Sequence, residues 1–125
     1  MRRSDIIEGI KILKPDLTVA ELIGSRPYEV KLTSSIKLAA GEGEAHAYLL
    51  FFEPGGEIGP HEAGLGQLFF AVQGAGWVAG CDAVRLPLAT GQAALIDRGE
   101  VHSKGSDTGL TALMIQVRDL NQVDP

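Results

Sequence analysis

The sequence predicts an all-β fold, a sandwich or barrel of many short strands with one short helix near its start. Sixteen glycines in 125 residues indicate frequent tight turns, which favour short strands over long helices. Short apolar runs bounded by Gly, Pro or Asp follow one another at regular spacing over most of the chain. No linker, low-complexity tract or internal repeat divides the sequence, so we expect a single domain over residues 1–125.

Composition and charge exclude several classes of function. The net charge of −5 argues against a nucleic-acid partner, because the phosphates would be repelled. No apolar run is long enough to span a membrane, and none follows Arg2 and Arg3 as it would in a signal peptide. The single cysteine, Cys81, permits no intrachain disulfide and fits a reducing compartment. We therefore expect a cytoplasmic protein with neither a nucleic-acid nor a membrane partner.

The one predicted helix lies near the start of the chain. Thr18 and Glu21 have the spacing of a capping box, and Gly24 supplies a left-handed stop. These signals predict a helix of at most about two turns. The preceding segment, residues 6–13, fits a helix and a strand equally, and Pro15 ends it in either case.

Strands dominate from residue 28 onward, and we expect the core barrel to span about residues 28–118. Alternating apolar and polar residues predict a half-buried strand over 28–33, and 36–40 is a second candidate. Residues 41–43 predict a turn. The stretch 44–53 predicts a long strand that is apolar, and therefore buried, on both faces.

The later strands lie around two glycine-rich stretches. They are predicted at residues 68–72, 77–79, 82–86, 93–96 and 110–118, with a hairpin around Gly80-Cys81 that Pro87 bounds and a loose polar tail after Asp119. In the first of these strands Gln67, Phe69 and Ala71 share one face, since side chains alternate along a strand. The opposite face is also apolar, so it requires a cover, either the N-terminal segment or a second subunit.

Two histidine-containing stretches carry a family resemblance. In the first stretch the residues at the motif positions are Gly55, His61, Ala63, Gln67 and Gly74. In the second stretch they are Gly91, Asp97, Gly99, His102 and Ser106. Only residues 75–90 separate them. Both stretches together, in register, resemble the two motifs of the small single-domain cupins over roughly residues 44–118. The resemblance implies a cupin double-stranded β-helix, that is, a jelly-roll barrel.

The chain departs from the cupin pattern at the metal cage, which the resemblance implies to be three His and one Glu. His61 and His102 are present, whereas Ala63 and Gln67 replace a His and the Glu. A reduced set of His61, Gln67 and His102 predicts weaker binding of a divalent metal (Zn, Fe, Ni or Mn) than a full cage, or none. His46 is either an ordinary strand histidine or faces the cavity and supplies a missing nitrogen. The expected cavity lining is Ala63, Phe69, Ala71 and His46.

Three classes of function stay open at this point. The first is a small-molecule enzyme with a weakly held metal at His61 and His102. The second is a metal-free enzyme that uses one histidine as a general base, and the third is a non-catalytic module that binds a small molecule in the barrel. The resemblance also implies a homodimer, which would cover the apolar outer face.

Overall fold

The fold is described from a computed structural model, over residues 10–22, 29 and 31–123. Nearly all regular structure in these residues is strand. The strands are β1 (Lys11–Leu13), β2 (Glu21–Leu22), β3 (Ser34–Ser35), β4 (Ala39–Phe52), β5 (Glu57–Glu62), β6 (Gly66–Ala79), β7 (Arg85–Ala89), β8 (Ala93–Ile96), β9 (Val101–Gly105) and β10 (Leu110–Gln122). The all-β prediction is therefore confirmed. No helix in the described part of the chain is long or apolar enough to cross a membrane.

Two antiparallel sheets share strand β6. The first half of β6 pairs with β8 and β10, giving a sheet with the strand order β1-β8-β6-β10-β4. Its second half pairs with β7 and β9, and β5 adds to β9. The change of partners occurs at Gly74, which has φ of +88° and lies so close to the Gly109 carbonyl that a Cβ would collide with it. Only glycine satisfies both conditions.

The core lies between the two sheets. Phe52 and Phe69 meet edge to face with their centroids 6.0 Å apart. The buried core residues are Phe52, Phe69, Ala71, Val78, Leu88, Ala94, Leu110, Ala112 and Met114. Gln67 lies on the same buried face of β6 as Phe69 and Ala71, as strand periodicity predicts.

The expected N-terminal helix is not formed by the residues described. Leu17–Val19 is a single 3-10 turn, and Glu21–Leu22 is already a strand. The carboxylate of Asp16 accepts bonds from both the backbone N–H and the hydroxyl of Thr18, at 2.9 and 2.7 Å. This local turn engages Thr18, so its side chain does not cap a helix. Gly24, the expected stop, lies outside the described residues.

Three predictions, of a strand, a turn and a loose tail, are also wrong in the described residues. Of the predicted strand 28–33, residues 29 and 31–33 are not in a strand, and Leu32 has φ of 52°. The turn predicted at 41–43 is instead a bulge within β4, where the register against β10 shifts between Val117 and Asp119 and Gly43 has φ of 100°. Because β4 continues through this bulge, β10 also continues to Gln122, so the first three residues of the predicted loose tail, 120–122, are paired strand.

Pro87 does not bound the hairpin but lies inside β7, opposite Trp77. This position tolerates proline because β7 pairs with β6 alone among the described strands, so one of its edges needs no N–H donor. The hairpin itself is formed around Gly80 and Cys81, but its second strand is Arg85–Ala89 and not residues 82–86.

Strand β4 is an edge strand, which contradicts the prediction that it is buried on both faces. Of its residues only Phe52 is buried, whereas Leu49 is 57% and Phe51 is 74% exposed. Register continues this apolar face across the sheet, where its side chains become partly buried and, on β8, fully buried. One cross-strand row on the outer face comprises Leu49, Leu113, Phe70, Ala93 and Leu13, and the next comprises Ala47, Ile115, Leu68, Leu95 and Lys11.

Candidate functional site

The two motif histidines come together through the pairing of β5 with β9. His61 lies directly opposite His102, and their rings meet edge to face with centroids 4.4 Å apart. His102 is fully buried, whereas His61 is exposed. His61 Nδ1 donates a hydrogen bond to the Gly59 carbonyl at 2.8 Å, which leaves Nε2 available at the surface. The histidine pair therefore extends from the barrel interior to the protein surface.

A lysine that the sequence analysis did not select lies at the centre of the site. Lys104 is only 1% exposed, and its Nζ donates to Gln67 Oε1 at 2.7 Å. The same Nζ lies 3.4 Å from His102 Nε2 and 3.5 Å from Met114 Sδ. It also stands 5.0 Å above the ring centroid of Phe69. Lys104 thus connects Gln67 to His102 inside an otherwise apolar barrel.

The charge of Lys104 has no anionic counterpart among the described residues. Among the residues that the structure describes, no carboxylate pairs with it, although five pairs of a lysine or arginine with a carboxylate form at the surface. Burial lowers the pKa of Lys104 from 10.5 to about 8, because an ammonium loses hydration inside the barrel. Buried charges in proteins are normally paired, so an unpaired one indicates a site that is completed by something else.

His102 is held in its neutral form. Burial first, and then the nearby charges of Lys104 and His61, lower its pKa to about 4. Since the ammonium of Lys104 faces the Nε2 lone pair, the ring proton belongs on Nδ1. That Nδ1 is buried without a hydrogen-bond partner among the described residues. His102 therefore carries an unsatisfied donor on one side and accepts from Lys104 on the other.

The arrangement does not fit a divalent metal. The structure brings His61, Gln67 and His102 together, but the Lys104 ammonium lies between the amide and the buried imidazole, where it repels a cation. Within the described residues no three His, Cys, Asp or Glu side chains cluster as metal ligands. Two imidazoles and a neutral amide also lack the negative charge that offsets a divalent ion.

The remaining predicted site residues divide into two groups. Ala63, Phe69 and Ala71 are at most 2% exposed and lie inside the barrel. His46 does not line the cavity, which corrects that expectation. It shares a cross-strand row with Gln67, but edge strand β4 leaves its ring exposed, and Nε2 bonds to Glu44 at 2.7 Å instead.

A cleft of about 670 Å³ lies between Ile10, the β6–β7 turn and the turn before β9, and the side chains around Lys104 do not line it. Ile10, Val84 and Leu86 form its apolar wall, and Asp97 and Glu100 contribute carboxylates. Leu86 and Lys104 lie in one cross-strand row, with only Val78 between them. Two strand spacings, about 10 Å, therefore separate the cleft wall from Lys104.

A sequence signal for Lys104 existed. Side chains alternate along a strand, so residues two apart share a face, and Lys104 follows His102 by two positions. If His102 points inward, Lys104 must do so as well. Lysines are rarely buried, so the residue type itself argues against an inward position, although the parity of the strand requires it.

The fold matches that of solved structures whose sequences are distant. A cupin-2 domain protein from Shewanella frigidimarina superposes with a TM-score of 0.53 at 21% identity, covering 63% of this chain and 76% of that one. A cupin superfamily protein from Desulfitobacterium hafniense gives 0.56 at 13% identity, covering 80% and 98%. A conserved protein of unknown function from Streptococcus pyogenes gives 0.56 at 18% identity, covering 62% and 67%.

Sequence comparison adds no closer relationship, since no family model and no curated protein matches this chain significantly. The assignment of the fold therefore rests on the architecture. Two antiparallel sheets share β6, and the paired motif strands β5 and β9 bring His61 and His102 to one place in the barrel. The chain therefore has the cupin fold, an all-β jelly-roll barrel, with a buried lysine among its motif residues.

Proposed function

We propose that this protein is a metal-independent cupin-fold protein that binds a small organic monoanion, such as a monocarboxylate, at Lys104. One observation carries the proposal, namely the buried ammonium that bonds Gln67 and His102 but has no carboxylate partner among the described residues. A ligand carboxylate would supply the missing charge, and charge-assisted hydrogen bonds are among the strongest available inside a protein.

The surroundings of Lys104 define the ligand further. Phe69 and Met114 offer apolar contacts to a hydrocarbon body, and the nearby cleft has an apolar wall of Ile10, Val84 and Leu86. Carboxylates of the cleft would repel a ligand with several negative charges, which favours a single one. His61 Nε2 is free to exchange a proton with a bound molecule at the solvent side.

The test is ligand-dependent thermal stabilisation, with metal analysis of the same protein. We expect short-chain monocarboxylates such as butyrate to raise the Tm, whereas zinc, nickel, iron and manganese leave it unchanged. Lys104→Met should abolish the butyrate effect, and Lys37→Met, at an exposed lysine, should preserve it. Stoichiometric metal in the purified wild-type protein, or an equal butyrate effect in Lys104→Met, would refute the proposal.

We also propose that the protein forms a homodimer through the outer face of the β1-β8-β6-β10-β4 sheet. The two cross-strand rows on that face contain one charged residue, Lys11, at their end. Leu49 and Phe51 remain largely exposed at the other end, on β4. An apolar surface of this kind is complementary to a second copy of itself, which would remove both side chains from water.

A further inference from the structure

We infer that Lys104 can also act as an amine nucleophile that forms an imine with small aldehydes entering the barrel. The inference rests on the proposed function, because the same Nζ would receive the carboxylate ligand. It goes further in naming a covalent chemistry and a second class of ligand, neutral carbonyl compounds with a short apolar body.

The geometry around Nζ suits a nucleophile. Its nearest partners are a neutral amide oxygen, a neutral imidazole nitrogen and a thioether sulfur, contributed by Gln67, His102 and Met114. None of these partners carries the negative charge that would hold the amine protonated. The ring of Phe69 and the wall of the barrel exclude water, which favours loss of water from an adduct.

The reaction balances without an oxidant or a reductant. The neutral amine attacks the carbonyl carbon, a C–N bond forms, and the carbonyl oxygen takes up a proton as one leaves nitrogen, giving a carbinolamine. The C–O bond then breaks, the hydroxyl departs with a proton as water, and the nitrogen lone pair forms the C=N bond. An amine and an aldehyde thus give an imine and one water.

Burial supports this reactivity, since it lowers the pKa of Lys104 to about 8. At pH 7 about a tenth of the side chain would then be neutral, roughly 300-fold more than for a lysine with an unshifted pKa. Carbonyl-reactive lysines in proteins are activated in this way, by removal from water. The two chemistries of Lys104 should therefore depend on pH in opposite directions, with carboxylate binding falling and imine formation rising across pH 8.

The experiment is reductive trapping with propanal and sodium cyanoborohydride, followed by peptide-resolved mass spectrometry. In one wild-type sample at pH 7, we expect Lys104 to be propylated at least about tenfold faster than exposed Lys37, with the rate at Lys104 rising towards pH 9. This internal comparison needs no variant. Trapping no faster at Lys104 than at Lys37 would overturn the inference.

Lys104→Arg separates the inference from the proposed function. Arginine keeps the charge, so butyrate should still stabilise this variant, whereas fast propylation at position 104 is lost. Butyrate should also slow trapping in the wild-type protein by competition. Wild type that is stabilised by butyrate but not trapped would overturn the imine chemistry alone, and wild type that shows neither effect would overturn both.

Discussion

Replacing Lys104 by methionine should stabilise the protein at neutral pH, although it removes the most connected polar side chain of the barrel. Methionine keeps the length of the side chain and fits among Phe69 and Met114, while the buried charge disappears. Buried charges without a partner commonly cost more than the apolar residues that can replace them.

The magnitude follows from the pKa of Lys104, which burial lowers from 10.5 to about 8. This difference corresponds to about 3 kcal/mol of unfolding free energy at pH 7. The variant also loses the hydrogen bond to Gln67 Oε1. Leaving this buried oxygen unpaired lowers the unfolding free energy by about 1–2 kcal/mol. We expect a net gain of about 1–2 kcal/mol, which raises the Tm of a domain of this size by about 3–8 °C.

The pH dependence distinguishes this cause from better packing. The folded-state pKa of Lys104 lies below the unfolded value, so the unfolded chain binds more protons between pH 8 and pH 10.5. Wild-type stability therefore gains a contribution as pH rises through that window. The advantage of Lys104→Met should be complete below pH 8 and should disappear at about pH 9–10, where the charge penalty no longer exceeds the loss of the hydrogen bond.

Urea unfolding at pH 7 and pH 10, followed by circular dichroism, measures both effects. Lys37→Met controls for loss of a surface charge, and the double variant Lys104→Met with Gln67→Leu removes the unpaired amide as well. A variant destabilised by more than about 1 kcal/mol at pH 7, or a difference that is the same at both pH values, would refute the reasoning. Lys104 would then stabilise the fold rather than cost it free energy.

Three further predictions concern the site and the apolar face. The folded-state pKa of His102 is about 4, below the ordinary 6.5, so the unfolded chain takes up a proton first as pH falls. The unfolding free energy should therefore drop by about 3 kcal/mol between pH 6.5 and pH 4. Urea titrations across that range test this, and His102→Gln should flatten the profile. Gln67→Glu places a carboxylate beside the ammonium, which should raise the pKa of Lys104, abolish stabilisation by butyrate and slow propanal trapping. Unchanged butyrate stabilisation in that variant would count against Lys104 as the anion site. Phe51→Lys should convert the proposed dimer into a monomer in light scattering, whereas Val84→Lys, at an exposed position away from that face, should not, and a monomeric wild-type protein would contradict the dimer.

Local sequence patterns predicted the parts of this fold that local physics determines. Alternation along β6 correctly assigned Phe69 and Ala71 to the interior, and the strand at 93–96 and the hairpin around Gly80 formed as expected. These features depend on side-chain parity and on turn residues, which are properties of neighbouring positions.

The predictions that are wrong concern positions where contacts with other strands or side chains determine the local structure. The apolar stretch of β4 predicts burial on both faces, but its place at the edge of the sheet leaves Phe51 exposed, and edge position is not encoded locally. Pro87 lies within a strand for the same reason, since an edge tolerates a missing donor. At Thr18, the competing side chain of Asp16 formed a turn in place of the expected helix cap.

The replacement of a motif glutamate by Gln67 gains its meaning only beside Lys104. A glutamate there would stand within bonding distance of the ammonium, form an ion pair and leave no charge for a ligand. A glutamine holds the same ammonium by one hydrogen bond and leaves its charge uncompensated. In the proposed function, the glutamine at this motif position creates the condition for an anion site, because Lys104 supplies the cation.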